Sequence, residues 1–360
     1  MHFKFRNVND AFHTLVRRID NGTVPTVVRE SRAGMVRMVE EPVIVTYERP
    51  RECVLFNTAR DCNPFFHLFE ALWMLAGRND VAPLLEFNPR MAEFSDDGRT
   101  LNGAYGYRWR HPFPYSEIGV YSKHLQREYD QLKEVIQQLQ EDHNSRRVVL
   151  SMWNTERDLF VKNTKDKCCN THVYFSTRQA HSVVLDMTVC NRSNDLVWGM
   201  LGSNAVTFSL LQQYVACCLG LNVGYYHQMT SNLHVYETNW KPQEWLLGQP
   251  EKQEAFYCTQ PEQFRSSRLV QQPEQFDEEV KQFIDDPAGR YVEPFLLQVA
   301  KPLVRAFRLH KRRLYKQAKL VLEHEAANCD WTAAAYIWIK QREERWERKM
   351  ADEQSRIDQG

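Results

Sequence analysis

Apolar residues recur along this chain with two periods, and the two alternate. Residues 8–20 (VNDAFHTLVRRID) repeat them at helical spacing and predict an amphipathic helix that ends near Asn21-Gly22. MVRMV (35–39) and PVIVTY (42–47) predict strands, with a turn over residues 29–34 before them. Residues 63–77 (NPFFHLFEALWMLAG) are apolar almost all round, which predicts a buried helix with Pro64 in its first turn and Gly77 at its end. A short helix over 80–87 and a loop over 95–110, with three glycines, come next. Residues 120–141 predict a polar helix, 148–153 a strand and 154–167 a polar loop. Alternation then returns twice, over 171–177 and 183–190. Gly202-Ser203-Asn204 opens a helix that runs to Leu219 and stops at Gly220, and 223–226 predict a short strand.

From Pro242 the pattern changes. Gln-, Pro- and Glu-rich stretches lead into two or three helices over 293–350, with a break at Asn328-Cys329-Asp330 where Asp330 caps the next helix. A soft boundary near 240 separates residues 1–240, which hold the chemistry, from a helical extension, 241–360. Lys+Arg and Asp+Glu balance at 46 each, so the bulk basic footprint of a nucleic-acid binder is absent. A basic run over 305–319 reads as a solvated helix face. No apolar run approaches the roughly 20 residues of a membrane span, and the first residues lack the apolar stretch of a signal peptide. A cytoplasmic setting is expected. Nine cysteines within strand and helix patterns imply free thiols. Cys168-Cys169 and Cys217-Cys218 are adjacent pairs without zinc spacing, so no metal is expected.

Candidate chemistry is densest over 168–214. The thiol pair Cys168-Cys169 stands at the mouth of one strand. The polar knot Asn191-Arg192-Ser193-Asn194-Asp195 ends the next, and Asn204 starts the following helix. Glu70 lies inside the most apolar helix, where desolvation raises a carboxyl pKa and suits it to proton shuttling, unless it occupies a wet strip. His234 and Tyr236 share one face of a strand and suit a sugar hydroxyl, or are a plain surface pair. Arg32 in an exposed turn suits a phosphate or solvent. Arg146 and Arg147 open a strand and point to opposite faces, so one can serve a ligand.

Taken in order, these fragments resemble the thymidylate synthase family, including its pyrimidine-nucleotide hydroxymethylase branch. The matching pieces span residues 10–240: Arg32-Ala33-Gly34; Phe69-Glu70-Ala71-Leu72-Trp73; Asn102-Gly103-Ala104-Tyr105-Gly106 with Trp109-Arg110; Ser145-Arg146-Arg147 with Trp153-Asn154; Cys169; Arg192-Ser193-Asn194-Asp195; Gly199; and His234-Val235-Tyr236. The resemblance implies an α/β fold, a large mixed β-sheet covered by helices, here with a helical C-terminal extension. It implies one-carbon transfer from 5,10-methylenetetrahydrofolate to C5 of a pyrimidine nucleoside monophosphate. Cys169 would add to C6 as a thiolate favoured by nearby arginine, with Cys168 as runner-up. Arg32, Arg192 and Ser193 would hold phosphate, joined by Arg146 and Arg147 of a second subunit in an obligate homodimer. His234 and Tyr236 would hold the sugar. Glu70 would organise water and protons, Tyr105 would help remove the C5 proton, and Asp195 would face the pterin near Gly199.

Four departures bear on the expected substrate and product. Asn170 follows the thiol where synthases usually have histidine. One extra residue precedes Asn204, so either Asn204 or Ser203 stands where the family reads the base; Asn204 can also be a plain helix cap. An asparagine suits uracil and an aspartate would suit cytosine. Met91 and Phe94 stand where the family has two tryptophans over the folate, and a missing indole admits water to the methylene intermediate. The closing synthase tail is not recognisable. The last two departures favour hydroxymethylation and Asn204 favours uracil, which together point to 5-hydroxymethylation of dUMP, as in viral DNA modification or nucleoside antibiotic pathways. The alternatives are dTMP synthesis, hydroxymethylation of dCMP or CMP, and a silent nucleotide-binding scaffold.

Overall fold

The alternating runs pair into two sheets in a computed structural model that describes residues 1–111, 130–247, 257 and 268–358. The strands are β1 (His2–Phe5), β2 (Thr26–Ser31), β3 (Gly34–Val39), β4 (Val43–Tyr47), β5 (Val149–Ser151), β6 (Asn170–Gln179), β7 (Val183–Asn191), β8 (Asn194–Asp195), β9 (Asn222–Thr230) and β10 (Leu233–Tyr236). The larger sheet has the order β1-β4-β9-β7-β6-β5 and mixes parallel and antiparallel pairs. The smaller has the order β2-β3-β10-β8.

Register explains why the larger sheet has one dry face. Leu150, Val173, Val189, Gln228 and Val45 align across five strands, and all are buried. The next row belongs to the opposite face. There Val149, Tyr174, Thr188, His227, Thr46 and Lys4 align, with Val149 and Tyr174 exposed.

The helices are α1 (Val8–Asp20), α2 (Pro64–Leu75), α3 (Ala82–Leu85), α4 (Tyr105–Arg110), α5 (Gln131–Glu141), α6 (Asn204–Cys218), α7 (Pro242–Leu247), α8 (Pro273–Asp285), α9 (Lys301–Lys311), α10 (Tyr315–His324) and α11 (Asp330–Asp358). Asn63 caps α2 by accepting the N–H groups of Phe65 and Phe66, and Gly77 leaves the helix at φ +73°. α2 and α6 pack together and are buried nearly all round. α4 crosses α2 so closely that a Cβ on Gly106 would lie 1.9 Å from the Met74 carbonyl oxygen, so only glycine fits there. The C-terminal helices reach the same core. Phe283 of α8 lies against Phe69, and Phe307 of α9 and Trp338 of α11 lie against Phe65.

Some expectations need correcting. Residues 29–31 continue strand β2, so the turn before β3 is only Arg32-Ala33. The loop expected over 95–110 ends in α4, and β9 runs four residues past the expected strand. The polar loop 154–167 holds a wide turn, Thr155–Phe160. The part of the expected 120–141 helix before Asp130 lies outside the described residues, as does most of the Gln- and Pro-rich stretch after 247.

Candidate active site

The β6–β7 pairing places the thiol. Asn170 pairs with Asn191, and the Arg192 N–H donates to the Cys169 carbonyl at 2.9 Å. This register brings the Arg192 side chain back over the thiol loop. Its Nε donates to the Cys168 carbonyl at 2.8 Å, and its Nη2 lies 3.6 Å from Cys169 Sγ. The two cysteines separate cleanly. Cys168 is fully buried with Sγ against the Gly103 carbonyl, whereas Cys169 is only half-buried. Cys169 is therefore the thiol that a ligand can reach. Burial raises its pKa and outweighs the opposing pull of Arg192 and Arg32. Arg192 and Arg32 do favour the thiolate, as expected, but in the free protein desolvation dominates.

The smaller sheet supplies the rest of this rim. Arg32 sits exposed at the β2–β3 tip, close enough for its charge to act on both Cys169 and Tyr236. β10 pairs with β3 and β8, which sets His234 beside Asp195. The His234 and Tyr236 rings meet edge to face with centroids 5.4 Å apart. Asn232 Oδ1 lies 3.1 Å from His234 Nδ1 and orients the ring. Ser193 is half-buried beside Arg192. Asp195 Oδ1 accepts the N–H groups of Val197 at 2.8 Å and Trp198 at 2.6 Å, so one of its oxygens caps the following turn.

Beside the thiol lies a cavity of about 160 Å³ lined by Glu70, Met91, Phe94, Tyr105, Asp166, Ser203 and Asn204, among others. Asp195 and Gly199 are not among its lining residues. Met91 is half-buried, and Phe94 is 46% exposed, so the outer wall is thin. Burial pushes the Tyr105 phenol well above its ordinary pKa, and it holds its proton at neutral pH. Glu70 is buried on α2 with Oε2 unpartnered. Burial raises its pKa from 4.5 to about 7, against a hydrogen bond with Ser203. The folded protein therefore binds this proton more tightly than the unfolded chain does. As pH rises from about 4.5 through about 7, the wild type should lose stability relative to Glu70→Gln. Paired melting curves at pH 4 and pH 8 check this; a constant difference between the two proteins would contradict it.

A row of amides runs behind the cavity. Asn170 donates to Asn204 at 3.2 Å, Asn204 to Asn194 at 3.0 Å, and Asn194 to Gln228 at 3.1 Å. Gln228 ends the row by donating to the Met200 carbonyl at 2.8 Å. A carbonyl only accepts, so this end sets the direction of every amide in the row. Gly199 makes room for it: a Cβ there would meet Asn194 Oδ1 at 2.3 Å. The extra residue before Asn204 is taken up in a wide π turn, Leu196–Ser203, with Gly202 off helical geometry. Asn204 therefore reaches the row, while Ser203 turns to Glu70.

This is the geometry of a thiol beside a guanidinium rim, with a half-dry cavity and an oriented amide. Residues 10–280 match the thymidylate synthase family. The chain belongs to the thymidylate synthase family. Over 97% of its length, and 96% of the relative's, it is 38% identical to the deoxyuridylate hydroxymethyltransferase of Pseudomonas phage M6. That match takes in helices beyond residue 280. The deoxyuridylate hydroxymethyltransferase of Bacillus phage SP01 is also 38% identical, over 54% of this chain and 49% of the relative. The thymidylate synthase of Streptococcus mutans is 28% identical over 41% of this chain and 53% of the relative.

Of the residues singled out from sequence, Cys169, Arg32, Arg192 and Tyr236 gather around the thiol, and His234 and Asp195 adjoin them. Glu70, Met91, Phe94, Tyr105 and Asn204 line the cavity. Arg146 and Arg147 are exposed, and neither guanidinium is paired among the described residues. Sequence reasoning missed Asp166, Gln228 and the role of Asn194. Asp166 was absorbed in a polar loop. Gln228 sits within a strand, and only sheet register reveals that it meets Asn194.

Proposed function

We propose that this protein transfers a one-carbon unit from 5,10-methylenetetrahydrofolate to C5 of dUMP and releases 5-hydroxymethyl-dUMP. The observation that carries the choice of product is the cavity wall, where Met91 and the exposed Phe94 leave water a way in. The near-full-length similarity to the phage M6 protein points the same way.

In this reading Arg32, Arg192 and Ser193 bind the phosphate, and His234 and Tyr236 bind the sugar. Asn204 reads the uracil edge. Cys169 adds to C6 and makes C5 nucleophilic. Nucleotide phosphate neutralises the arginines, and bringing C6 to the thiol converts addition into a proximity-driven step. Glu70, with its pKa near neutrality, relays protons at the base, and Tyr105 lies close to the C5 proton. Folate occupies the cavity, with Met91 and Phe94 against it and Asp195 and Gly199 at its edge. Arg146 and Arg147 complete the phosphate site of a second copy. Their unpaired, exposed guanidiniums stand just before β5, and the exposed Val149 and Tyr174 row gives the larger sheet a face on which two copies can meet. Free nucleotide and folate pools imply a cytoplasmic setting, the host's if the chain is phage-borne.

The test is to incubate dUMP, dCMP, UMP and CMP separately with methylenetetrahydrofolate and weigh the products. Addition of CH2O to dUMP alone, without dihydrofolate, is the expected result. Addition of CH2 with stoichiometric dihydrofolate would instead make it a thymidylate synthase.

A further inference from the structure

The proposed chemistry leaves one carboxylate in the cavity without a task. Asp166 lines the cavity together with Glu70, Met91, Phe94 and Tyr105. It stands three residues before Cys169, and its charge acts on both Cys169 and Tyr105. The Gly103 N–H donates to its Oδ2 at 2.7 Å. Its Oδ1 accepts no hydrogen bond among the described residues. The bond to Gly103 occupies one oxygen, and the residue as a whole also lines the cavity.

We propose that Asp166 is the general base that activates water in the hydroxymethylation step. The inference rests on the reading of the protein as a dUMP hydroxymethylase. Once C5 has lost its proton and the folate amine has left, the ring carries an exocyclic C5=CH2 group and a C6–Sγ bond to Cys169. The water oxygen bonds to the CH2 carbon while its proton passes to Asp166 Oδ1. The C5=CH2 pair moves into the ring and leaves an enolate at C4–O4. The enolate re-forms C4=O, C5=C6 closes, and the C6–Sγ bond breaks to return the Cys169 thiolate. Asp166 then gives its proton to solvent. No oxidant or reductant is consumed.

The surroundings divide the work between two carboxyls. Glu70 is buried with an unpartnered oxygen, and burial favours its protonated form. Burial raises the Asp166 carboxyl as well, opposed by the Gly103 N–H and the Arg108 guanidinium, while the charges of Asp158 and Asp96 add to the rise. Two carboxyls held in unlike environments can act as acid and base in one site. Phe94, exposed at the cavity mouth, is where the water enters.

Asp166→Asn tests this because an amide oxygen can still accept from Gly103 while the base is gone. Three readouts are compared: tritium release from [5-3H]dUMP, hydroxymethyl product, and a thioether formed when 2-mercaptoethanol traps the methylene carbon. The expected result is tritium release within a few-fold of wild type, with the hydroxymethyl product down by about 10²–10³-fold relative to it. The thioether-to-hydroxymethyl ratio should rise accordingly, and Asp166→Glu should restore part of the product. An unchanged partition between thioether and hydroxymethyl product would overturn the proposal. So would an equal fall in tritium release and product, which would make Asp166 a scaffold residue. If the unaltered enzyme makes dTMP and dihydrofolate, the hydroxymethylase reading itself fails, and this step with it.

Discussion

Cys169→Ser should lower turnover by about four orders of magnitude or more while dUMP still binds within a few-fold of wild type. A serine hydroxyl is far less ionised than a thiol at neutral pH and adds poorly to C6. The phosphate and sugar contacts do not pass through Sγ, so binding survives. The matching control is Cys168→Ser. Cys168 is fully buried with its thiol on the Gly103 carbonyl, where no substrate carbon can approach it. That variant should keep turnover within about tenfold, any loss reflecting packing. Intact mass with 5-fluoro-dUMP and methylenetetrahydrofolate gives a second check. A covalent adduct should form on wild type and Cys168→Ser and be absent from Cys169→Ser. Activity retained in Cys169→Ser would sink the thiolate mechanism.

The largest expected loss of stability comes from Asp158. It forms a buried ion pair with Arg108, their side chains being 0% and 2% exposed. Arg108 also donates to the Asn102 carbonyl at 2.7 Å and the Met152 carbonyl at 2.6 Å, and Asp158 Oδ2 accepts the Asn154 N–H at 2.9 Å. Asp158→Ala strands the guanidinium in the core. The expected cost is about 3–5 kcal/mol, read as a lower denaturation midpoint at fixed protein concentration. Replacing both partners with apolar residues should cost less than the sum of the single changes, because no buried charge is then left alone. The damage should reach the site, since Asn102 leads into Gly103 and Ala104 of the cavity wall. A loss under about 1 kcal/mol would show that water or a neighbouring group takes over the guanidinium.

Much of the site was legible because its residues lie in short stretches whose local pattern is strong. The buried helix around Glu70 announced itself by apolar residues almost all round, and packing then showed that Glu70 is desolvated and not on a wet strip. The two strands after Cys169 followed from alternation, and their antiparallel pairing brings Arg192 back to the thiol. The choice of Cys169 over Cys168 rested on the family resemblance and not on local pattern, because adjacent strand-entry residues face opposite ways and only packing says which face is dry. The same holds for Asn204. Its spacing was off by one residue, and the π turn that absorbs the excess depends on how Leu196–Ser203 packs under α6.

By itself, then, the sequence determined most of the elements, the thiol pair, the apolar helix that carries Glu70 and the family resemblance. Each of these depends on residue type and on neighbours within a few positions. Tertiary structure alone decided which thiol is reachable and that Asp166 shares a cavity with Glu70. It also decided that Met200, through Gln228 and Asn194, orients Asn204. Those facts depend on groups far apart in the chain: 96 residues separate Glu70 from Asp166, and 34 separate Asn194 from Gln228. Sheet register and helix packing bring such groups within reach, and no local pattern encodes that distance.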